Sequence, residues 1–426
     1  MNLVKTSILT LIATIIRLAS GLIINKTISI FIGPTGLALI GQFQSIQGII
    51  RTASQGGIDK GLIKYTAEYN DDSRKLFSLW STSVKITISC SFLVSLILFN
   101  FSSYLSQKLF KNSDFSYVFI IFGITIILYA LNQLLLSILN GLKEIKTFIS
   151  INIIQSIYSL IITSLLIIIA SLDGALIAMV TNQSIIFIVI LFKLKNHNKI
   201  KIINFTLPLN KKIAKNLLNY SIISIVSIIS MPTAMIIIRN YVGENISWDA
   251  AGYWQAITYI SSMYLLVITT ALSTYYLPRL SEIKNPKELK KEIINGYSLL
   301  IPLLICISLT IFFMKDFIVW LLFSKEFYPM LELFKWQLIG DIIKISSWLL
   351  SYLMLAKAMS RYLIFSEILF TLSYILLSVW FSNIFGLIGL TYAFALNYFA
   401  YFSYMIIVVY FKIFNTKTKH IDTSET

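Results

Sequence analysis

Twelve apolar runs, each long enough to cross a bilayer as a helix, leave this chain one class of fold. They lie at 7–30, 36–58, 76–104, 117–139, 148–170, 175–192, 216–240, 249–277, 292–314, 332–356, 362–382 and 387–411. About 20 mostly apolar residues are needed to traverse some 30 Å of hydrocarbon. The runs do not alternate apolar and polar residues over about ten positions, so they predict helices rather than barrel strands. Only 13% of the 426 residues are charged, about half the share in a soluble domain. A water-soluble surface cannot be assembled from that composition. Arg17 lies inside the first run and no small-residue cleavage site follows it, which marks a retained span rather than a secretory leader.

Orientation follows from the basic residues. With the N-terminus in the cytoplasm, the inside segments are 1–6, 59–75, 140–147, 193–215, 278–291, 357–361 and the tail from 412. Together they hold 24 Lys+Arg, against four in the outside loops (Lys108, Lys111, Lys315 and Lys325). That asymmetry predicts that both termini are cytoplasmic. It also accounts for most of the +16 net charge, so the basic balance gives no support to nucleic-acid binding. Cys90 and Cys306 lie in spans, and His197 and His420 lie in a loop and the tail, so no His/Cys metal constellation is present. No phosphate-loop motif occurs, which argues against direct use of ATP. No catalytic residues, cofactor or metal are expected, and the chain is read as a transporter, not an enzyme.

The most basic segment, 193–215, divides the spans six and six. The expected organisation is an N-terminal lobe at 1–192, a basic cytoplasmic linker at 193–215, a C-terminal lobe at 216–411 and a tail at 412–426. Two halves entering the membrane in the same direction permit a parallel repeat, the arrangement of transporters that rock two bundles about a central site. Gly36 and Gln42 of span 2 are loosely echoed by Gly252 and Gln255 of span 8.

Seven basic residues remain inside the spans: Arg17, Lys26, Arg51, Lys85, Arg239, Lys335 and Lys344. The interior acids are Asp341 and Glu367. Each charge at mid-membrane costs about 2.5–3.5 kcal/mol on insertion scales, so it should face a protein interior or a water-filled cavity. Lys26, Arg239 and Lys335 sit near span ends, where a long side chain snorkels to the interface. Arg17, about 15 Å into its span, and Arg51 are too deep for that. Trp80, Trp320 and Trp380 lie near span boundaries and read as interfacial anchors.

Helical spacing gathers polar residues on single faces. Thr10, Thr14, Arg17, Gly21 and Asn25 share one face of span 1. Gly41, Gln44, Gly48, Arg51 and Gln55 share one face of span 2. Gln255, Thr258, Ser262, Thr269 and Ser273 do so on span 8, and Ser221, Ser224, Ser227 and Ser230 precede Pro232 on span 7. Helix packing explains the small and hydroxyl residues, but not Gln44, Gln47, Arg51 and Gln255 together. The expectation is a hydrophilic, net cationic cavity lined by spans 1, 2, 7 and 8. Its natural guest is an anion bearing many hydroxyls, with Arg pairing phosphate oxygens and amides binding sugar hydroxyls. An amphipathic lipid-linked sugar fits. Asp341 and Lys344, three apart on span 10, form either a neutralising pair or part of a proton-coupling device with Glu367.

FIGPTGLALIGQF at 31–43, ISWDAAGYWQ at 246–255, VWLLFSKEF at 319–327 and WQLIGDIIKISSWLLSYLMLAKA at 336–358 resemble the Wzx-type flippases. These belong to the multidrug/oligosaccharidyl-lipid/polysaccharide exporter superfamily, and the similarity is to the branch moving O-antigen units or enterobacterial common antigen lipid. The resemblance runs from about residue 1 to 411. It implies an all-α polytopic membrane protein with twelve transmembrane helices in two six-helix lobes around a central cavity. It further implies an undecaprenyl-diphosphate-linked oligosaccharide as substrate, moved from the cytoplasmic to the periplasmic leaflet of the inner membrane by alternating access. Protons are the first candidate for the coupling ion. Besides membrane lipids, a polysaccharide polymerase and a chain-length regulator are the implied partners. Arg17 and Lys26 correspond to basic positions in the branch's first helix. Trp248, Asp249, Gly252, Trp254 and Gln255 fall on its span-8 motif. Gln44 stands where a relative has a basic residue, which shifts the positive charge of span 2 to Arg51. The substrate-binding candidates are therefore Arg17, Lys26, Gln44, Gln47, Arg51, Arg239 and Gln255, with Asp341 and Glu367 as ion-coupling candidates and Lys344 as a structural partner.

Two other classes were weighed on the same residues. A membrane glycosyltransferase or polysaccharide polymerase needs an extramembrane catalytic loop, and the short outside loop near 315–331 offers Asp316 and Glu326 without a motif. A drug antiporter for cationic drugs fits poorly with a cationic cavity.

Overall fold

The computed structural model describes residues 3–195, 197 and 199–414, with the side chains of 3–8, 219–227 and 274 excepted. Ser221, Ser224 and Ser227, and the tail with His420, therefore lie outside what is described. Among the described residues the chain is helical throughout, with fifteen α-helices and no strand. The predicted spans fall on α1 (Leu3–Phe31), α2 (Gly33–Gln55), α4 (Ser73–Asn100), α6 (Ser116–Gly141), α7 (Ile145–Leu194), α8 (Lys211–Asn245), α9 (Trp248–Ala271), α11 (Pro286–Phe313), α13 (Phe334–Ala356), α14 (Ser360–Phe385) and α15 (Gly389–Val409). Short helices fill the connections: α3 (Asp59–Glu68), α5 (Ser102–Phe110), α10 (Leu277–Glu282) and α12 (Lys315–Leu322).

The helix α7 carries two of the predicted spans. Its backbone leaves helical geometry at Ala170 and Ser171, where the fifth predicted span ends, so each predicted span keeps a helical segment of its own among the described residues. Ser171 holds a φ of 44°, a left-handed value costly for a residue with a side chain. Three residues on, Gly174 lets the second arm press against the first. A Cβ on Gly174 would lie 1.9 Å from the Leu166 carbonyl oxygen. The hairpin exists because that position has no side chain.

Length and apolar composition qualify α4, α6, α7, α11 and most of the other long helices as membrane spans outright. The helices α2 and α9, 23 and 24 residues long, do not qualify. They are two of the four on which a polar face is predicted, and those faces are what dilute their hydropathy.

Internal contacts divide the chain into two units, Met1–Thr233 and Ala234–Thr426, with the boundary inside α8 beside Pro232. In the first unit, Leu62, Leu76, Trp80, Leu139, Ile186 and Leu217 knit α3, α4, α6, α7 and the start of α8 into one apolar core. In the second, Leu265, Leu300, Ile345, Leu349, Met405 and Val409 do the same for α9, α11, α13 and α15. Exposed residues such as Leu93, Ile161, Ile169 and Leu376 present the apolar surface that hydrocarbon solvates.

Trp80 corrects a sequence expectation. It is fully buried, donates to Thr66 Oγ1 at 3.2 Å and stacks on Phe205, instead of anchoring at an interface. Trp320 and Trp380, at 59% and 57% exposed, do stand at the surface.

Replacing Gly174 with Ala should force the arms of α7 apart and cost about 1–3 kcal/mol, whereas Ser171→Gly should stabilise by up to about 1 kcal/mol. Thermal unfolding of the detergent-purified variants checks both signs.

Candidate functional site

The polar faces form two centres, one in each unit. In the first unit, Gln47 and Arg51 lie one turn apart on α2 and converge on a single acceptor. Gln47 Nε2 donates to the Met179 carbonyl of α7 at 2.8 Å, and Arg51 Nη2 donates to the same oxygen at 2.9 Å. The Arg51 guanidinium lies 4.8 Å from the centre of the Tyr129 ring, and Gln55 Nε2 donates to Tyr129 Oη at 3.3 Å. A carbonyl dipole and an aromatic face thus solvate the charge. No carboxylate pairs with Arg51 among the described residues.

The predicted stripe is split by this arrangement. Arg51 and Gln47 are turned inward, while Gln44 on α2 and Arg17 on α1 are exposed and bond to no other described residue. Lys26 is half-buried, and Asn25 beside it is 3% exposed. Arg17 and Gln44 are therefore the exposed polar candidates of α1 and α2.

Lys85 lies inside a predicted span, and its ammonium donates to the Leu207 carbonyl at 2.7 Å. The linker folds back along α4 to meet it, with Leu207 N–H on Ser81 Oγ and Asn210 N–H on Thr82 Oγ1, each at 3.1 Å.

In the second unit, Arg239 overturns the snorkelling expectation. The helix α8 runs on to Asn245, which leaves Arg239 more than a turn from its end, and the residue is 2% exposed. Its Nη2 donates to Gln255 Oε1 of α9 at 2.6 Å, and the guanidinium lies 5.7 Å from the Trp254 ring centre. Lys335, by contrast, is exposed beside Trp336.

Asp341 is completely buried on α13. Oδ2 accepts from Ser261 Oγ at 2.6 Å and Tyr264 Oη at 2.7 Å, both on α9, and Oδ1 accepts from Gln337 Nε2 at 3.3 Å. Lys344, three residues along, makes no ion pair with it among the described residues. Its ammonium sits 5.2–5.6 Å from the ring centres of Trp348, Phe394 and Tyr398. Glu367 is half-buried on α14, within electrostatic range of Tyr401. The hydroxyl donors Ser261 and Tyr264 and the rings around Lys344 were not singled out from sequence. Only the three-residue spacing of Ser261 and Tyr264 on α9 hinted at a shared face.

The chain matches the family described as polysaccharide biosynthesis protein over residues 31–332. It is 27% identical to the lipid III flippase of Escherichia coli K12 over 403 residues, covering 95% of this chain and 97% of that protein. It is 28% identical over 263 residues, 60% of each chain, to a candidate O-antigen transporter of Shigella flexneri. Among solved structures, the inward-facing conformation of a multidrug resistance MATE family transporter superposes with a TM-score of 0.74 at 13% identity, covering 93% of this chain and 98% of that one. At that identity the likeness concerns the fold.

Asp341→Leu should strand the Ser261 and Tyr264 hydroxyls, each worth about 1–3 kcal/mol when buried without a partner. Asp341→Asn keeps an acceptor and should cost less than half as much. Scanning fluorimetry of the purified variants reads the difference.

Proposed function

The chain belongs to the polysaccharide biosynthesis protein family, and we propose that within it this protein is a flippase for undecaprenyl-diphosphate-linked oligosaccharide repeat units. It is a multi-pass membrane transporter and not an enzyme. In this reading it moves its substrate from the cytoplasmic to the periplasmic leaflet by alternating access, with both termini in the cytoplasm. Full-length similarity to a lipid III flippase and the MATE-like fold support the reading. A polymerase and a chain-length regulator that act on the delivered repeat are the proposed functional partners.

The observation that carries it is the way Arg51 is held. It meets a carbonyl and a ring face rather than a carboxylate. Its charge is solvated but not cancelled, so the first unit keeps a positive potential for an anionic head group. Arg17 makes the first contact with the diphosphate, because it is exposed and bonds to no described neighbour. Gln44 is the candidate for hydrogen bonds to sugar hydroxyls. Arg51, Gln47 and Lys26 supply field and amides from the first unit, and Arg239 and Gln255 are the candidates of the second.

Asp341 is the proposed coupling group, with Glu367 as the second acid. As a carboxylate it accepts from α9 through Ser261 and Tyr264. Once protonated, it donates one hydrogen bond and loses acceptor capacity, so the α9–α13 contact must rearrange. Proton arrival and departure thereby bias a two-state element.

Expression in strains lacking defined flippases, scored by which surface glycan returns, tests the function. Arg17→Ala should abolish the polymer while membrane levels of the protein stay normal, and Arg17→Lys should restore part of it. Wild-type polymer from Arg17→Ala would remove Arg17 from the site. Asp341→Asn should make transport insensitive to an imposed pH gradient, a response measured in proteoliposomes.

A further inference from the structure

We propose that the first unit binds one anionic diacyl phospholipid between α4, α6, α7 and the linker, at a site separate from the polar face of α2. A groove of about 860 Å³ runs there, near the top of the range of about 300–1,000 Å³ common for ligand sites. Ile88 of α4, Leu131 and Leu135 of α6, and Ile188 and Leu191 of α7 wall it, and Phe205 of the linker closes one side. Every lining residue is apolar except Lys195 and Lys201. Both lysines stand where α7 ends and the linker begins. Ile188 lies about 10 Å further along α7. Charge and apolar wall are thus segregated along the groove as head and chains are in a lipid.

Neither the Lys195 nor the Lys201 ammonium has a partner among the described residues. Two uncompensated lysines favour an anionic head over a zwitterionic one, and the apolar walls give a free phosphate nothing to bind. The linker itself has the character of an interfacial segment. Ile202 and Ile203 are 88% and 69% exposed beside the lysines, and Lys85, Ser81 and Trp80 hold the following residues against α4. A lipid seated here touches both α7 and the linker, and fastens the linker to the first unit.

Native mass spectrometry of the full-length protein in detergent, offered phosphatidylglycerol or phosphatidylethanolamine, tests the site. The wild type should retain one phosphatidylglycerol per chain and unfold at a higher temperature with it than with phosphatidylethanolamine. Lys195→Gln combined with Lys201→Gln should weaken phosphatidylglycerol binding about 30-fold. Ile188→Trp, at a half-exposed position in the groove, should expel the lipid with both lysines intact. Equal retention and equal stabilisation by the two lipids in the wild type overturn the proposal, as does phosphatidylglycerol binding that survives Ile188→Trp. Recovery of a polyprenyl lipid in place of the phospholipid overturns it too. Should the lysine variant fail to fold, the wild-type comparison and Ile188→Trp still decide the question.

Discussion

A cation carried into hydrocarbon has no water to solvate it, and the packing of this chain depends on what replaces that water. Arg51 takes the Met179 carbonyl and the Tyr129 face. Arg239 takes the Gln255 amide oxygen and the Trp254 face. Lys344 takes three rings, and Lys85 takes a carbonyl of the folded-back linker. Each solution ties two helices, or a helix and the linker, together. The tie of α2 to α7 is made by Arg51 and Gln47, and that of α8 to α9 by Arg239. The contacts that make these charges tolerable are also contacts that position the polar faces.

Dipoles and ring faces differ from carboxylates in one consequence. A carboxylate partner cancels a cation's far field, whereas a carbonyl or an aromatic face lowers its energy and leaves the net charge in place. In the proposed flippase, a cation held this way favours an anionic head group over a cationic solute. The contrast with Asp341 is instructive. This buried carboxylate accepts from three neutral donors, so in the proposed coupling role a proton on it changes its contacts with α9. Lys344, on the same helix, places its ammonium over rings and makes no close ion pair with Asp341 among the described residues.

The fold was largely legible in the sequence because run length and hydropathy depend on local composition alone. The break between the fifth and sixth spans falls at Ala170–Ser171, where the apolar run pauses. The stripe of α2 was also readable, since Arg51 and Gln55 recur at helical spacing. Which members of that stripe turn inward was not. That depends on the carbonyl of Met179 and the ring of Tyr129, more than 70 residues away in sequence. Arg239 was misjudged for a related reason. The apolar run stops near residue 240, but α8 continues to Asn245 through polar residues that hydropathy does not count as helix. Trp80 was misplaced because its partner Phe205 belongs to the linker, whose return along α4 leaves no periodic signature. Likewise the rings around Lys344 come partly from α15, which spacing on α13 alone does not show.

In the proposed function, solvated but uncancelled positive charge serves to carry an anionic lipid head across the bilayer. A leaflet assay tests this in proteoliposomes loaded with a fluorescent polyprenyl-diphosphate-linked oligosaccharide, quenched from outside by a membrane-impermeant reagent. The protein should raise the rate at which the protected label becomes quenchable, with no change in the length of the glycan, and should leave a neutral polyprenyl-linked analogue unmoved. Equal movement of the charged and neutral lipids, or no movement of either, would contradict it.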